Sequence, residues 1–367
     1  MGLLFCTVVA AQEPGVPPAS KLPKSADPND WEAYYDYALT LFPRFPNTAD
    51  TMLIWASRLD PSRSEPLFAR WVAFWLKDRD RFADYLAYRT RSRDSASIQS
   101  AEALVIRAIH RNPFTPRTLI MHAFNELPGQ WGHDLLTQAM IAYARLDYDR
   151  AASLFGRAIA RNPDRYVEWR AYRATVFVGA EQYDSALAEM DAMAATLRAR
   201  AEQTSSSWYE SLETVEYSIG MLEFVLGRTA DARESFQQAL QENLAFAPAH
   251  VMLGEIALSA RDRGRAQREF SDAAAIAPDD GWVQYLYGTA LTKLGRGAEA
   301  VAVLNRAIEL EPFFADSYLS LGDAFKATGD TTAALNAYEG YLHRAPRRLA
   351  QQIDYAQRQV TQLRNVH

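Results

Sequence analysis

The chain has 367 residues, 49% of them hydrophobic and 23% charged, which is ample material for a large core. Its formal net charge of −6 gives no general attraction to phosphate backbones or anionic lipid, so no nucleic-acid or membrane-surface partner is expected. The single cysteine, Cys6, excludes a disulfide framework and a cysteine-rich zinc module within the chain, and no apolar run after the opening residues approaches the roughly 18 to 20 needed to span a bilayer.

Residues 1–11 are apolar from Gly2 to Ala11 and precede a polar, proline-rich segment, the pattern of a signal-peptide remnant without its basic opening. The alternative is an accidental likeness. A lipid-anchor reading is disfavoured because the bulky Phe5 stands just before Cys6. A genuine leader implies a periplasmic or secreted protein, and its absence a cytoplasmic one. Residues 12–29 carry Pro14, Pro17, Pro18, Pro23 and Pro28 with little apolar content, and are expected to form a flexible or polyproline-like leader. Folding is expected to start near Trp31.

Residues 30–131 read as degenerate helical hairpins. Ala49, Leu53, Ala56 and Pro61 give the pattern of a hairpin's second helix, and Ala101, Leu104, Ala108 and Pro113 repeat it. Trp31, Trp55, Trp71 and Trp75 fall in this region, where a core of large aromatics is expected and an exposed docking surface is the alternative. The basic stretch from Arg70 to Asp94 reads as a solvated face, or else as a patch for an acidic partner.

Residues 132–198 form two looser units, the first closed by Ala151, Phe155, Ala158 and Pro163, the second marked by Ala186, Met190 and Met193. An insertion follows over residues 199–212, with Ser207 as a cap for the next helix. From 213 to 346 the chain keeps strict register: Gly220, Gly254, Gly288 and Gly322 recur every 34 residues, as do Ala232, Ala266, Ala300 and Ala334, and also Phe236, Phe270, Leu304 and Tyr338. Glycine inside a helix costs about 1 kcal/mol relative to alanine, so its return at one register calls for close helix packing. Gly227, Gly295 and Gly329 sit where a helix must stop in a left-handed residue, and Pro278, Pro312 and Pro346 close the units. Residues 347–367 form an amphipathic helix whose Leu349, Ile353, Tyr355, Ala356, Val360 and Leu363 are available to cap the last hairpin.

This pattern resembles the tetratricopeptide repeat family. The unit from Ala315 to Pro346 carries Tyr318, Leu321, Gly322, Phe325, Ala334, Tyr338 and Pro346 on the family's pattern, with Tyr341 departing from its alanine. The resemblance implies an all-α, right-handed α-solenoid of antiparallel helix hairpins with a capping helix at its end. It also implies a concave groove lined by one stripe of each hairpin's first helix, which holds an extended peptide or a helix.

On this sequence the stripe is Leu136, Met140 and Tyr143; Ala171 and Thr175; Tyr217, Met221 and Phe224; Val251 and Glu255; Trp282, Tyr285 and Thr289; and Leu319 and Asp323. Part of it, above all Tyr217, Met221 and Phe224, could instead pack against the insertion or a neighbouring helix. The lysine, asparagine and arginine of the family's carboxylate clamps are largely missing, with Lys293 and Lys326 only at the margin. The expected ligand is therefore an apolar or aromatic protein segment with a basic residue near Glu255 and Asp323, and the expected role a non-catalytic scaffold or adaptor. A self-assembling structural solenoid is the alternative, and an enzyme with a site in the amino-terminal helical region ranks last. No phosphate-binding loop, nucleophile elbow or histidine pair at helical spacing occurs, so no catalytic, cofactor or metal site is expected.

Overall fold

The computed structural model describes residues 21–42, 44–77, 96–123, 134–161, 167–199 and 211–365. The apolar opening, the leader as far as residue 20, the basic stretch from 78 to 94 and the insertion from 200 to 210, with its Ser207, lie outside the described residues. Within them the chain is all-helical, and no helix is long and apolar enough to cross a membrane.

The helices in chain order are α1 (Trp31–Leu41), α2 (Pro46–Leu59), α3 (Glu65–Lys77), α4 (Ala96–Arg111), α5 (Thr115–Ala123), α6 (Leu135–Ala144), α7 (Tyr148–Arg161), α8 (Glu168–Gly179) and α9 (Tyr183–Ala199). They continue as α10 (Leu212–Val225), α11 (Thr229–Glu242), α12 (Ala247–Ser259), α13 (Arg263–Ile276), α14 (Gly281–Lys293), α15 (Gly297–Leu310), α16 (Ala315–Thr328), α17 (Thr331–Arg344) and α18 (Ala350–Arg364). Two compact units result: Asn112–Pro278 makes one, and Met1–Arg111 together with Asp279–His367 makes the other.

Within a hairpin, the periodic glycine has a steric cause. A Cβ on Gly254 would stand 2.7 Å from the Phe270 ring, and a Cβ on Gly220, Gly288 or Gly322 would stand 2.6 Å from Phe236, Leu304 or Tyr338 respectively. Real Cβ atoms do not approach that closely, so the first helix accepts the ring of the second only where it has no side chain. The ring lies on the glycine of its own hairpin, and with Ala232, Ala239, Ala266 and Ala273 fully buried nearby the two helices close on each other.

The turns repeat as well. In six hairpins the residue ending the first helix is left-handed: Gly227, Gly295 and Gly329 at φ 74, 75 and 83°, and Leu146, Glu181 and Arg261 at 62, 58 and 59°. The next amide then bonds back to the carbonyl five residues earlier, as in Arg228 to Glu223 at 2.8 Å, Asp262 to Ala257 at 2.9 Å and Asp330 to Phe325 at 3.0 Å. The three side-chain-bearing residues take this conformation because that bond satisfies a carbonyl the helix end would otherwise orphan.

The amino-terminal helices form the aromatic core expected of them. Trp31, Tyr34, Met52, Leu53 and Trp55 are buried in one cluster, while Trp71 is half-buried and the Trp75 side chain is outside the described residues. One expectation is corrected at its edge. Residues 22–29 are tied down, with Leu22 against this cluster and the Asp27 carboxylate accepting from the Arg347 amide at 2.6 Å. At the other terminus α18 covers the last hairpin, Ala356 and Val360 packing with Tyr338 and Tyr341, as the amphipathic pattern predicts.

Gly254→Ala is expected to lower stability by about 1–3 kcal/mol, because overpacking displaces a ring that has no room to retreat. Arg261→Gly is expected to raise it by roughly 1 kcal/mol through relief of the left-handed backbone. Urea unfolding of the full chain measures both, and a stabilised Gly254→Ala variant would contradict the packing account.

Candidate partner-binding surface

The inner stripe divides between the two compact units. In Asn112–Pro278 the chain itself covers its beginning, since α5 contacts both α6 and α8. Met140 and Tyr143 lie buried in a cluster with Met121 of α5, and the Tyr143 hydroxyl donates to Thr118 Oγ1 at 3.3 Å. Burial raises the Tyr143 phenol above its ordinary value. Ala171 is buried in a cluster with Phe114, and the fully buried Thr175 turns its hydroxyl onto the Ala171 carbonyl at 2.9 Å.

Tyr217 is buried too, its ring 5.7 Å from Phe236 and 5.5 Å from Phe246. Met140, Tyr143, Thr175 and Tyr217 therefore line no groove; helix packing against neighbours has taken them into the core. Leu136 is half-buried at the edge of the same cluster.

What stays accessible in this unit is Met221 and Phe224 on α10 with Val251 and Glu255 on α12. Phe224 is 38% exposed and its neighbour Val225 56%. Met221, Val251 and Glu255 are half-buried, and Glu255 makes no hydrogen bond or ion pair among the described residues. An apolar strip beside an unneutralised carboxylate suits an apolar segment carrying a cation.

Behind this strip the second helices are pinned by partly buried ion pairs. Glu189 accepts from Arg170 and Arg173 at 3.0 and 2.6 Å, and the buried Glu216 pairs with Arg198. His250 Nδ1 lies 2.9 Å from Glu269, which also accepts from Arg265 at 3.3 Å. Burial pulls His250 down, but its bonds to Glu269 and the Leu244 carbonyl outweigh that and raise it.

In the other unit the stripe comprises Trp282, Tyr285, Thr289, Leu319 and Asp323, and here the chain again supplies the neighbours. Trp282 and Tyr285 stack at 5.2 Å, both edge-on to Phe314. Asp280 caps α14, accepting from the Trp282 and Val283 amides at 3.0 and 3.2 Å. Both oxygens of the same carboxylate accept from Arg111 Nη2 of α4, at 2.6 and 2.8 Å. Thr289 Oγ1 donates to Ser320 at 3.2 Å, joining successive first helices, and Leu319 sits at the edge of the last core cluster.

Asp323 was expected to face a basic ligand and does not. It accepts the Tyr338 and Tyr355 hydroxyls, each at 2.7 Å, which locks α18 onto the last hairpin. Burial together with this carboxylate pushes the Tyr355 phenol up to about 12.

The sequence reading missed a set of residues that close on this face. Trp55 meets Phe313 edge-on at 4.9 Å, Arg348 bonds both Asp30 oxygens at 3.0 Å, and the Asn29 amide donates to the His343 carbonyl at 3.1 Å. Only the opposite charges of Asp27 and Asp30 and of Arg347 and Arg348 hinted at the pairing. Among these groups Asp316 is pushed up to about 6 by burial and by Asp60, against the pull of Arg348.

The raised carboxyl of Asp316 binds a proton more tightly in the folded chain than in the unfolded one. The stability it contributes is complete below about pH 4 and is lost as pH rises through about 6. Asp316→Asn is expected to flatten that decline and to leave the chain more stable than the parent above pH 7. Tryptophan-monitored unfolding over a pH series reads this, and an unchanged pH profile would contradict it.

Three family profiles match the chain, each described as tetratricopeptide repeat, over residues 217–281, 257–322 and 315–347. The chain is similar to the Hsp70-Hsp90 organizing protein of Triticum aestivum, 36% identical over 86 residues, which are 23% of this chain and 15% of that protein's length. Among solved structures it is similar to YrrB, a TPR protein with an unusual peptide-binding site, at 19% identity over 56% of this chain and 100% of that one, with a TM-score of 0.44. It is also similar to MamA of Desulfovibrio magneticus RS-1, at 16% identity over 48% of this chain and 94% of that one, with a TM-score of 0.41.

Proposed function

We propose, since residues 217–347 belong to the tetratricopeptide repeat family, that this chain is a protein-interaction scaffold that holds an apolar or aromatic segment along α10 and α12. The observation that carries this reading is Phe224 of α10, which is exposed where the other described stripe residues are half-buried or buried. Met221, Phe224 and Val251 offer an apolar surface, and Glu255, one turn along α12 from Val251, makes no hydrogen bond or ion pair among the described residues. A partner helix or extended peptide would seat large apolar side chains against Phe224 and set a lysine or arginine on Glu255. The basic clamp that grips a terminal carboxylate is not at these positions, which favours an internal segment of the partner.

The test is affinity capture from the chain's own host with the parent and with a Phe224→Ala, Glu255→Lys variant. Loss of an aromatic anchor costs about 2 kcal/mol or more where it is a hot spot, so at least about a tenfold drop in the captured partner is expected. Undiminished capture by a variant of unchanged helicity would defeat the reading.

A further inference from the structure

In two of the regular repeats, the fourth residue of the first helix reaches back over the loop that precedes that helix. In α16 it is Tyr318, whose hydroxyl donates to the Pro312 carbonyl at 3.0 Å. Two repeats earlier the same two positions are His250 of α12 and Leu244, with the ring Nε2 3.3 Å from the carbonyl oxygen. A hydroxyl donates at any ordinary pH, whereas an imidazole nitrogen donates only while it carries its proton.

His250 has a second acceptor to satisfy. Its Nδ1 lies 2.9 Å from Glu269 Oε2, and the other oxygen of that carboxylate accepts from Arg265 at 3.3 Å. A carboxylate and a carbonyl can only accept, so a ring that is 7% exposed satisfies both only as the imidazolium. The groups facing it are Glu269, with its Arg265, and Asp272 from α13, and the Leu244 carbonyl from the α11 side. Burial lowers the ring's proton affinity, but its bonds to Glu269 and Leu244 and the charges of Glu269 and Asp272 raise it above the ordinary 6.5. The protonated ring therefore adds stability that is complete below about pH 6.5 and is lost as pH rises through the higher folded value. A ring with one proton keeps the shorter bond to the charged Glu269 and turns a lone pair on the Leu244 carbonyl.

That carbonyl belongs to the loop between α11 and α12. The loop's own bonds, from the Ala245 and Phe246 amides to Asn243, are local, and the Leu244 side chain is 76% exposed. Phe246 stands at the N-cap of α12, where its ring offers no acceptor for the first amides of the helix. That ring instead packs edge-on to Tyr217 of α10, in the core cluster against which Met221 and Met252 lie. Met221 is one turn beyond Tyr217, and Phe224 follows on the same helix.

We infer that His250 is a pH-sensitive clasp: doubly protonated, it ties the α11–α12 loop to α13 and, through Phe246 and Tyr217, sets the apolar strip of α10; with one proton it releases the loop and loosens that strip. The consequence for a bound segment rests on the scaffold reading, while the clasp itself does not.

The test uses the full chain with isotope-labelled methionine methyls and histidine rings, its spectra followed over a pH series. The His250 ring is expected to titrate with a midpoint above 6.5, and the Met221 and Met252 methyls to shift with the same midpoint. His250→Gln, which installs the residue found one repeat later at Gln284, is expected to remove the ring signal and leave both methyls without that transition. Glu269→Gln is expected to move the ring and the Met221 midpoints down together by at least about one unit.

A ring midpoint at or below 6.5 would overturn the inference, as would a Met221 methyl that does not follow the ring. If His250→Gln fails to fold, Glu269→Gln decides, and a Met221 midpoint that stays in place when the ring moves overturns the inference equally. No partner enters these spectra, so undiminished capture by the Phe224→Ala, Glu255→Lys variant defeats the scaffold reading and leaves the clasp standing.

Discussion

The closeness of the two helices in a hairpin depends on one contact, an aromatic or leucine side chain of the second helix lying where the first helix has only a glycine. Everything else in the regular repeats follows from that approach. Small residues at Ala232, Ala266, Ala300 and Ala334 are fully buried because the helices are that near. The loop between them must then reverse within a few residues, which it does through a left-handed residue and one recurring backbone bond. Glycine serves that turn in three hairpins. Leucine, glutamate and arginine serve it in three others at some cost in backbone strain.

Such a hairpin buries one side of each helix and leaves the inner stripe to be covered by something else. This chain covers much of it with its own residues. In one unit α5 lies against α6 and α8, so Met140, Tyr143 and Thr175 become core. In the other, Trp55 and Arg58 of α2 come to Phe313, and Arg111 at the end of α4 comes to Trp282 and Asp280. Among the described stripe residues, Phe224 of α10 is the exposed one.

Charge is used for positioning more than for affinity. Partly buried pairs such as Arg173 with Glu189 and Arg111 with Asp280 gain Coulomb energy but surrender hydration, so their net contribution to stability is small, while breaking one leaves a costly uncompensated ion. They fix which helices meet. Asp323 shows the same economy: a carboxylate that could have faced a ligand instead receives two tyrosine hydroxyls and fastens the terminal helix.

The repeat was legible because it is local. A 34-residue step in glycine, alanine and aromatic columns reports contacts between residues 16 apart, and helical periodicity alone then places α10 to α18 and the cap. The same argument identified the left-handed glycines as turns. It could not tell which inner-stripe residues stay open, since Tyr143 and Phe224 occupy equivalent positions and differ only in what folds against them. Nor could it see that Asp27 and Asn29, in the segment read as a flexible leader, and Asp30 just after it bond to Arg347, the His343 carbonyl and Arg348. Those contacts join segments some 310 to 320 residues apart, and no periodicity spans that distance. Sequence determined the hairpin, whose forces act between neighbours; only the tertiary structure decided which of its faces the chain keeps for itself, because that depends on distant side chains whose charge and shape match only once the fold has brought them together.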